Sequence, residues 1–551
     1  MSNVIFLDIE SAKREGDNSK LAGLFGKLRL VQIKKPNKKA KVYDMFKHPH
    51  KWDKVKSIIE SADLVVIHNS FYEMMTDEFK DVKLKVVFDT LWASRYLYPA
   101  EERHSLTEAL QREGFDAKDE LGGSDWSGEL TKEQIKYAKY DVEALELLYN
   151  KYAPALEDNE AFKLDMRNLV YAYTYSWNGI AVDHEKRLQF IEEYKVKLAE
   201  AKKDLPEGLN FNSPKQLCEW LDIPSSNKET MTNLSYTDPR ALRIMEAKDY
   251  SKKISTLEKK FNFDRVHGVF KPGAAKSGRW TCSGRLAGNK DPQWQNLQQI
   301  DRKLKQVFRA EEGKYLVECD YSGLETYTAS AVMNSHKMMR LLIDGVDLHR
   351  YVASFVFGVS EDEVTKDQRQ CAKGVTFGTL YGAGAKVVQI FIQTYTGKLY
   401  PLAEVTAFRS RWLQEFSDIQ DYHKAAGSRI RDKRGLIVST PMGRKAYASS
   451  YSESINIPSQ GAGAECMKIA IDLIMHKLPN AKIVLTVHDE LVIECDTLKE
   501  AKKTAKVVKK NFDKSFEMLK TYLPKDKVLA KLHMNNEVDI TKNYQGEPID
   551  D

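Results

Sequence analysis

The chain has 551 residues, with 85 Lys and Arg against 79 Asp and Glu for a formal charge of +6, and 42% of it is hydrophobic and 10% aromatic. That composition is globular, and at about 150 residues per domain three or four cores are expected. No run of about 18 apolar residues occurs and MSNVIFLDIE lacks a basic region, so neither a membrane span nor a signal peptide is expected, and the protein should be soluble and cytoplasmic. The six cysteines, Cys218, Cys282, Cys319, Cys371, Cys466 and Cys495, are widely separated without a CxxC pair. This is the pattern of reduced thiols and argues against a zinc site.

The opening strand Val4-Ile-Phe-Leu-Asp8-Ile-Glu10 alternates, so Asp8 and Glu10 project from one face. Two acids on one side of a buried strand repel unless a cation lies between them. Leu64 to Glu73 reads as a strand running into a polar turn with Asn69 and Glu73, where Phe71 and Tyr72 offer stacking faces for unpaired bases. Asp89 should cap a following helix. Ile135 to Leu145 reads as an amphipathic helix with Tyr137 and Asp141 as i and i+4 partners. Any one of these acids alone could be a cap or a surface pair.

Helix 162–180 should stop at Trp177-Asn178-Gly179, and a long charged helical arm should run from Asp183 to about Lys260. It is broken near Ser213-Pro214, a capping serine and a first-turn proline. Lys252, Lys253, Lys259 and Lys260 on this arm suit phosphate, whereas Lys502, Lys503, Lys506, Lys509 and Lys510 read as a solvated helix face. The stretch from Gly278 to Leu297 is too rich in Gly and polar residues to be core. Its Arg279, Arg285, Gln295 and Asn296 suit minor-groove acceptors shared by all base pairs.

Tyr315-Leu-Val-Glu-Cys-Asp320 reads as a buried strand ending in a carboxylate, and Lys482 to Glu494 as a second strand broken at a hairpin tip by His488, Asp489 and Glu490. Carboxylates brought from two strands suit two divalent ions roughly 3.5–4 Å apart that clamp a phosphoryl displacement. Between them, Arg369, Lys373, Phe377 and Tyr381 recur every four residues. On a helix this row spans about 18 Å, with cations for a triphosphate at one end and aromatics for a base at the other. Burying it as ordinary core would bury two cations at high cost.

These segments resemble a known family. Asp320-Tyr-Ser-Gly-Leu-Glu325, the Arg369 to Tyr381-Gly382 row and His488-Asp489-Glu490 resemble motifs A, B and C of family A DNA polymerases, in that order. The N-terminal acids resemble the DxE, Nx₂(F/Y)D and YxxxD pattern of 3′→5′ proofreading exonucleases, with Glu73 where the family usually has Asp. The resemblance implies an α/β multi-domain protein: an RNase H-like exonuclease domain (1–155) followed by a right-hand polymerase (156–551), with thumb 183–268, palm 269–335 and 456–551, and fingers 336–455. It implies proofreading DNA synthesis from dNTPs on primer-template DNA, by a monomer of bacteriophage replicative type, without a thioredoxin-type processivity insert.

Two Mg²⁺ per centre are implied, with Mn²⁺ able to substitute: Asp320, Asp489 and the Tyr321 carbonyl at one, Asp8, Glu10 and Asp141 with Glu73 at the other. Glu490 is implied as auxiliary and Tyr137 as orienting the attacking water. Arg369 and Lys373 are implied to grip the triphosphate, with His349 nearby and Lys373 donating a proton to pyrophosphate. Tyr381 is implied to pair with Glu325, whose bulk excludes a ribose 2′-hydroxyl, and Phe377 to disfavour dideoxynucleotides. Asn456, Gln460 and His488 join the DNA contacts. Gly323, Thr326-Tyr327, Thr376 and Glu465 depart from the family pattern without removing a metal ligand. A nuclease whose C-terminal part only holds DNA, and a silent DNA-binding scaffold, are the competing readings.

Overall fold

The computed structural model describes residues 3–12, 26–117, 124–235, 237–285, 291–430 and 435–549. The first sheet has five strands in the order Lys41–Asp44, Lys27–Lys34, Val4–Ala12, Leu64–Ile67, Val87–Asp89. Its first two pairings are antiparallel and its last two parallel. The central strand buries Ile5, Phe6, Leu7 and Ile9, and leaves Asp8 and Glu10 only partly covered. Helix Lys132–Leu156 lies against this sheet, started by a Thr131–Gln134 capping box.

Helix Glu160–Asn178 stops at Gly179, whose φ of +59° needs no side chain in the way. The arm follows, with helices His184–Lys203 and Pro239–Lys259 packed along each other. A small apolar cluster at its tip includes Leu217, Leu221, Met231 and Ile244. Asp183, Ser213, Asn227 and Asp238 each cap an arm helix, so the arm's start and stop points are set locally.

A second sheet, all antiparallel, runs Lys482–Val487, Glu490–Cys495, Tyr315–Tyr321, Asn536–Thr541. Helix Leu498–Lys520 packs against it, with Phe512 stacked on Tyr321 at 4.4 Å between ring centroids, and helix Tyr451–Lys477 packs in turn on that helix. A helical subdomain from His336 to Arg429 has its own core of Val352, Val375, Val388, Ile392 and Trp412.

Two expectations need correction. The stretch 278–297 is not plain surface, because Trp280, Cys282, Arg285, Trp294, Gln295 and Leu297 are buried. Trp280 packs beside Tyr175 and Trp294 edge-on to Trp177 of helix Glu160–Asn178, and Gly278 turns the chain at φ +80°. Phe71 is also buried: it packs edge-on to Tyr173 at 5.3 Å, with Lys271 Nζ 5.4 Å from its ring, and offers no free stacking face.

One continuous apolar core joins the first sheet, helix Glu160–Asn178 and the second sheet. Within it, the fully buried Asp165 accepts hydrogen bonds from Tyr96 Oη at 2.7 Å, from Arg444 and from Lys468. Two buried cations thus depend on one carboxylate. Asp165→Asn should destabilise the fold by about 3–5 kcal/mol, because it leaves buried charge uncompensated. A chemical-denaturation shift below about 1 kcal/mol would mean that water reaches the pair.

Candidate active sites

Asp320 is the penultimate residue of strand Tyr315–Tyr321 and is exposed at its end. Its neighbours across the sheet are Glu490 on one side and Glu537 on the other. His488 and Asp489 form the two-residue turn closed by the Val487–Glu490 pair. His488 takes φ +58°, where glycine is the usual occupant, a conformation costing about 1–3 kcal/mol for other residues. That turn brings Asp489 into electrostatic contact with Asp320. Loss of hydration on the side turned to the protein, then the charges of Asp489 and Glu490, push Asp320 up to about 7, and burial with the nearby Glu325 and Glu490 charges pushes Asp489 up to about 6.

Glu490 is held from behind by Tyr544, whose hydroxyl donates to it, and by Lys305 Nζ at 3.4 Å. The sequence offers no signal for either partner, nor for Glu537. The Tyr321 ring is buried, and its carbonyl accepts from Gly323 N–H at 2.8 Å, leaving one lone pair.

Arg279, Glu325, Gln460, His488 and Asp489 line one cavity. Arg279 pairs with Glu325, and burial with the Arg279 charge lowers the His488 pKa. The Tyr381 hydroxyl lies beside the same carboxylate: burial, then the Glu325 charge, push its pKa well up, and its contact with Glu325 adds to the rise. Asn456 lies one turn before Gln460 on helix Tyr451–Lys477, and its Oδ1 is buried without a partner among the described residues.

Helix Lys366–Leu380 carries Arg369, Lys373 and Phe377 on a half-exposed side, with Tyr381 at its C-terminal end. Its other side packs against helix Ala385–Thr396, so closely that a Cβ on Gly374 would fall 2.6 Å from Ile392 Cα. Arg369 Nε is 2.8 Å from Asp347 Oδ2. Lys373 Nζ lies 5.1 Å from the Tyr395 ring, and burial followed by Arg369 lowers its pKa. Phe377 sits 5.6 Å from His349 and 6.2 Å from Tyr395. Burial and the Lys373 charge push His349 down to about 4, so it is neutral at pH 7. Tyr395, the floor of this strip, carries no recognisable signal in the sequence.

A further groove beneath the arm is lined by Lys252, Lys260, Gly284, Gln295 and Asn296. Lys253 also lines it, but is largely buried and bound to Asp249 at 2.6 Å. Arg285 does not face this groove: it is buried and bonded to Asp77 at 2.7 Å.

In the first sheet, ligand oxygens of Asp8, Glu10 and Asp141 lie within 4.8 Å of one another. Burial raises all three, Asp8 to about 7, Asp141 to about 9 and Glu10 well above the usual range, and repulsion from Asp8 adds to the rise of Asp141 and Glu10. Glu73 is wholly buried beside them, and neither of its carboxylate oxygens has a hydrogen-bond partner among the described residues. Burial and the Asp8 charge hold its pKa well up. An all-oxygen donor set with unpaired buried carboxylates fits a hard divalent cation. Tyr137 stands one turn before Asp141 on the same helix, and Asp89 caps helix Thr90–Leu97.

Among the described residues, no helix is long and apolar enough to cross a membrane. Residues 183–544 match the model of DNA polymerase family A, and residues 11–157 that of a 3′-5′ exonuclease. DNA polymerase I of Aquifex aeolicus is 28% identical over 500 residues, 82% of this chain and 84% of that protein. DNA polymerase I of Caldicellulosiruptor bescii is 29% identical over 58% of this chain and 41% of its own length. The thermostable DNA polymerase I of Thermus filiformis is 32% identical over 42% of this chain and 29% of its own. The fold is similar, with TM-score 0.76 and 18% identity over 98% of this chain and 95% of the other, to the POL domain of Pol1 from M. smegmatis, solved in complex with DNA primer-template and dNTP. With the polymerase match covering more than half of it, the chain belongs to DNA polymerase family A and carries a 3′-5′ exonuclease domain ahead of its polymerase domain.

Proposed function

We propose that primer extension takes place around Asp320 and Asp489, and that the 3′ end is trimmed around Asp8, Glu10, Asp141 and Glu73. Carboxylates from separate segments crowd together at two places, where the Asp489 charge raises the Asp320 pKa and the Asp8 charge raises that of Asp141, as expected of sites that hold divalent cations. Magnesium or manganese ions, two per centre, would supply a more acidic attacking hydroxyl or water and counter-charge for the phosphate.

The protein's own groups do the rest. Arg369 and Lys373 receive the triphosphate, and the lowered pKa of Lys373 suits a proton donor to pyrophosphate. Phe377, Tyr381 and the neutral His349 shape the nucleotide end of the strip. Glu325, held by Arg279, stands where a ribose 2′-hydroxyl would fall. Gln295, Asn296, Asn456, Gln460 and His488 contact primer-template, and Lys252 and Lys260 face its phosphates. Tyr137 orients the hydrolytic water. The similar fold of a polymerase bound to primer-template and dNTP supports these ligands.

A monomeric, cytoplasmic enzyme of bacteriophage replicative type is the finer form of this reading. Its support is the short arm, residues 183–268, while the relatives named above are bacterial. A nuclease-only protein or a silent scaffold is disfavoured, because both acidic centres and Lys373 are present together. Primer extension with Mg²⁺ and four dNTPs separates the three: a longer, shorter or unchanged primer.

Asp320→Asn and Asp489→Asn should each slow elongation by on the order of 10³-fold, the loss of several kcal/mol of charge stabilisation. Asp8→Ala with Glu10→Ala should abolish digestion of single-stranded DNA while synthesis persists. Unimpaired elongation or digestion in these variants refutes the corresponding assignment. Phe377→Tyr should improve dideoxynucleotide use, and equal incorporation by both forms would refute the role given to Phe377.

Metal dependence should also appear in stability. Asp8, Asp141, Asp320 and Asp489 have folded pKa values of about 7, 9, 7 and 6 against 3.8 for the free group. The folded state therefore binds more protons, and their contribution, full below about pH 4, is lost as pH rises through those values. Metal-free protein should melt at a lower temperature at pH 8 than at pH 5, and added Mg²⁺ should raise the melting temperature more at pH 8. Equal Mg²⁺ effects at both pH values would show that these carboxylates hold no ion.

A further inference from the structure

Between the two centres lies a cluster that neither uses directly. Arg285 has a side chain only 5% exposed, with Nη2 2.7 Å from Oδ1 of Asp77, which is 68% exposed. Its guanidinium carbon lies 5.2 Å from the Trp177 ring and 5.5 Å from the Trp294 ring. The two indoles meet edge-on at 5.1 Å, and Trp294 stacks on His267 at 4.9 Å. A guanidinium enclosed by indole faces gains cation–π attraction, and the carboxylate neutralises it.

The second attachment is a hydrogen bond from Trp177 Nε1 to the Met74 carbonyl at 2.9 Å. Met74 and Asp77 both follow Glu73 within one turn of chain. Thr76 N–H bonds back to the Glu73 carbonyl at 3.0 Å, so Glu73, Met74 and Asp77 belong to one compact turn. The Glu73 carboxylate makes no hydrogen bond among the described residues, and its location is therefore set by the backbone of this turn. Both groups that grip the turn come from the polymerase side. Trp177 is on helix Glu160–Asn178, and Arg285 follows Gly284, which lines the groove beneath the arm.

We propose that Trp177 and Arg285, acting through Met74 and Asp77, are positioning residues for the exonuclease centre, so that the polymerase side of the chain holds Glu73 in place. Neither touches the substrate or the reacting atoms. The inference rests on the reading of Asp8, Glu10, Asp141 and Glu73 as the hydrolytic centre.

The test uses the full chain. Trp177→Phe keeps a ring but loses the N–H donor, Asp77→Asn keeps shape but loses the charge, and Asp77→Glu keeps the charge. In Trp177→Phe and Asp77→Asn, kcat for 3′ hydrolysis of a single-stranded oligonucleotide should fall about 10-fold to 100-fold, as expected of a small misplacement at a reacting centre. KM for the oligonucleotide and the rate of primer extension should stay at the parent values, and Asp77→Glu should recover most of the hydrolysis. Parent-like hydrolysis in both variants overturns the proposal. So does a parallel loss of hydrolysis and extension, which would make the cluster a general support of the fold. Asp8→Ala, measured alongside, separates the two readings. Hydrolysis surviving in it removes the exonuclease assignment itself. Hydrolysis lost in it but indifferent to Trp177 and Asp77 refutes only the positioning role.

Discussion

Repulsion among carboxylates is the constraint around which this protein is arranged. At each centre several acids are held close where water reaches them poorly, and their pKa values rise, with Arg279 relieving Asp489 only in part. A chain free to relax would separate them. Here they cannot separate, because each is fixed by backbone already committed elsewhere: Asp8 and Glu10 by a central strand, Asp141 by a long helix, Asp320 by a strand end and Asp489 by a tight turn. A divalent cation bound there would relieve that crowding.

The two centres achieve this crowding differently. In the first sheet a strand and a helix, both rigid, face each other, and the trio closes to within 4.8 Å. In the second sheet, the key placement depends on His488 occupying a backbone region normally left to glycine. That strain is sustained by the strands on either side, which pair with one another in register up to Val487 and Glu490. Tyr544 and Lys305 then restrain Glu490 from the far side, so the acid beside Asp489 has few alternatives.

Much of this was legible in the sequence because it is local. Strand alternation places Asp8 with Glu10, helical spacing places Tyr137 with Asp141 and aligns Arg369, Lys373 and Phe377, and Asp89, Ser213 and Gly179 mark helix boundaries by their own chemistry. What was not legible depends on which distant groups meet. Nothing near Glu325 indicates that Arg279 also pairs with its carboxylate. Nothing near Arg285 reveals that two tryptophans and Asp77 draw it away from the groove. Polar, glycine-rich composition argued against core for 278–297, but tryptophan and arginine side chains bury themselves when neighbouring segments supply faces and a counter-charge. The last strand, Asn536–Thr541, alternates correctly, yet its sheet-edge position beside Asp320 follows only from the fold.

The way the two halves are joined bears on how they work together. A flexible linker would let each centre fold and move on its own, and domain interfaces of that kind are usually small and polar. This chain instead continues its apolar core across the junction and places Asp165 there between Arg444 and Lys468, with Tyr96 reaching in from the exonuclease side. A buried carboxylate serving two cations adds little net stability, but it tolerates almost no displacement, because any shift leaves charge unpaired in a dry environment. Such a node acts as a geometric reference between the halves. The separation and orientation of the two acidic centres are therefore set by the packing of the folded chain and not by a linker.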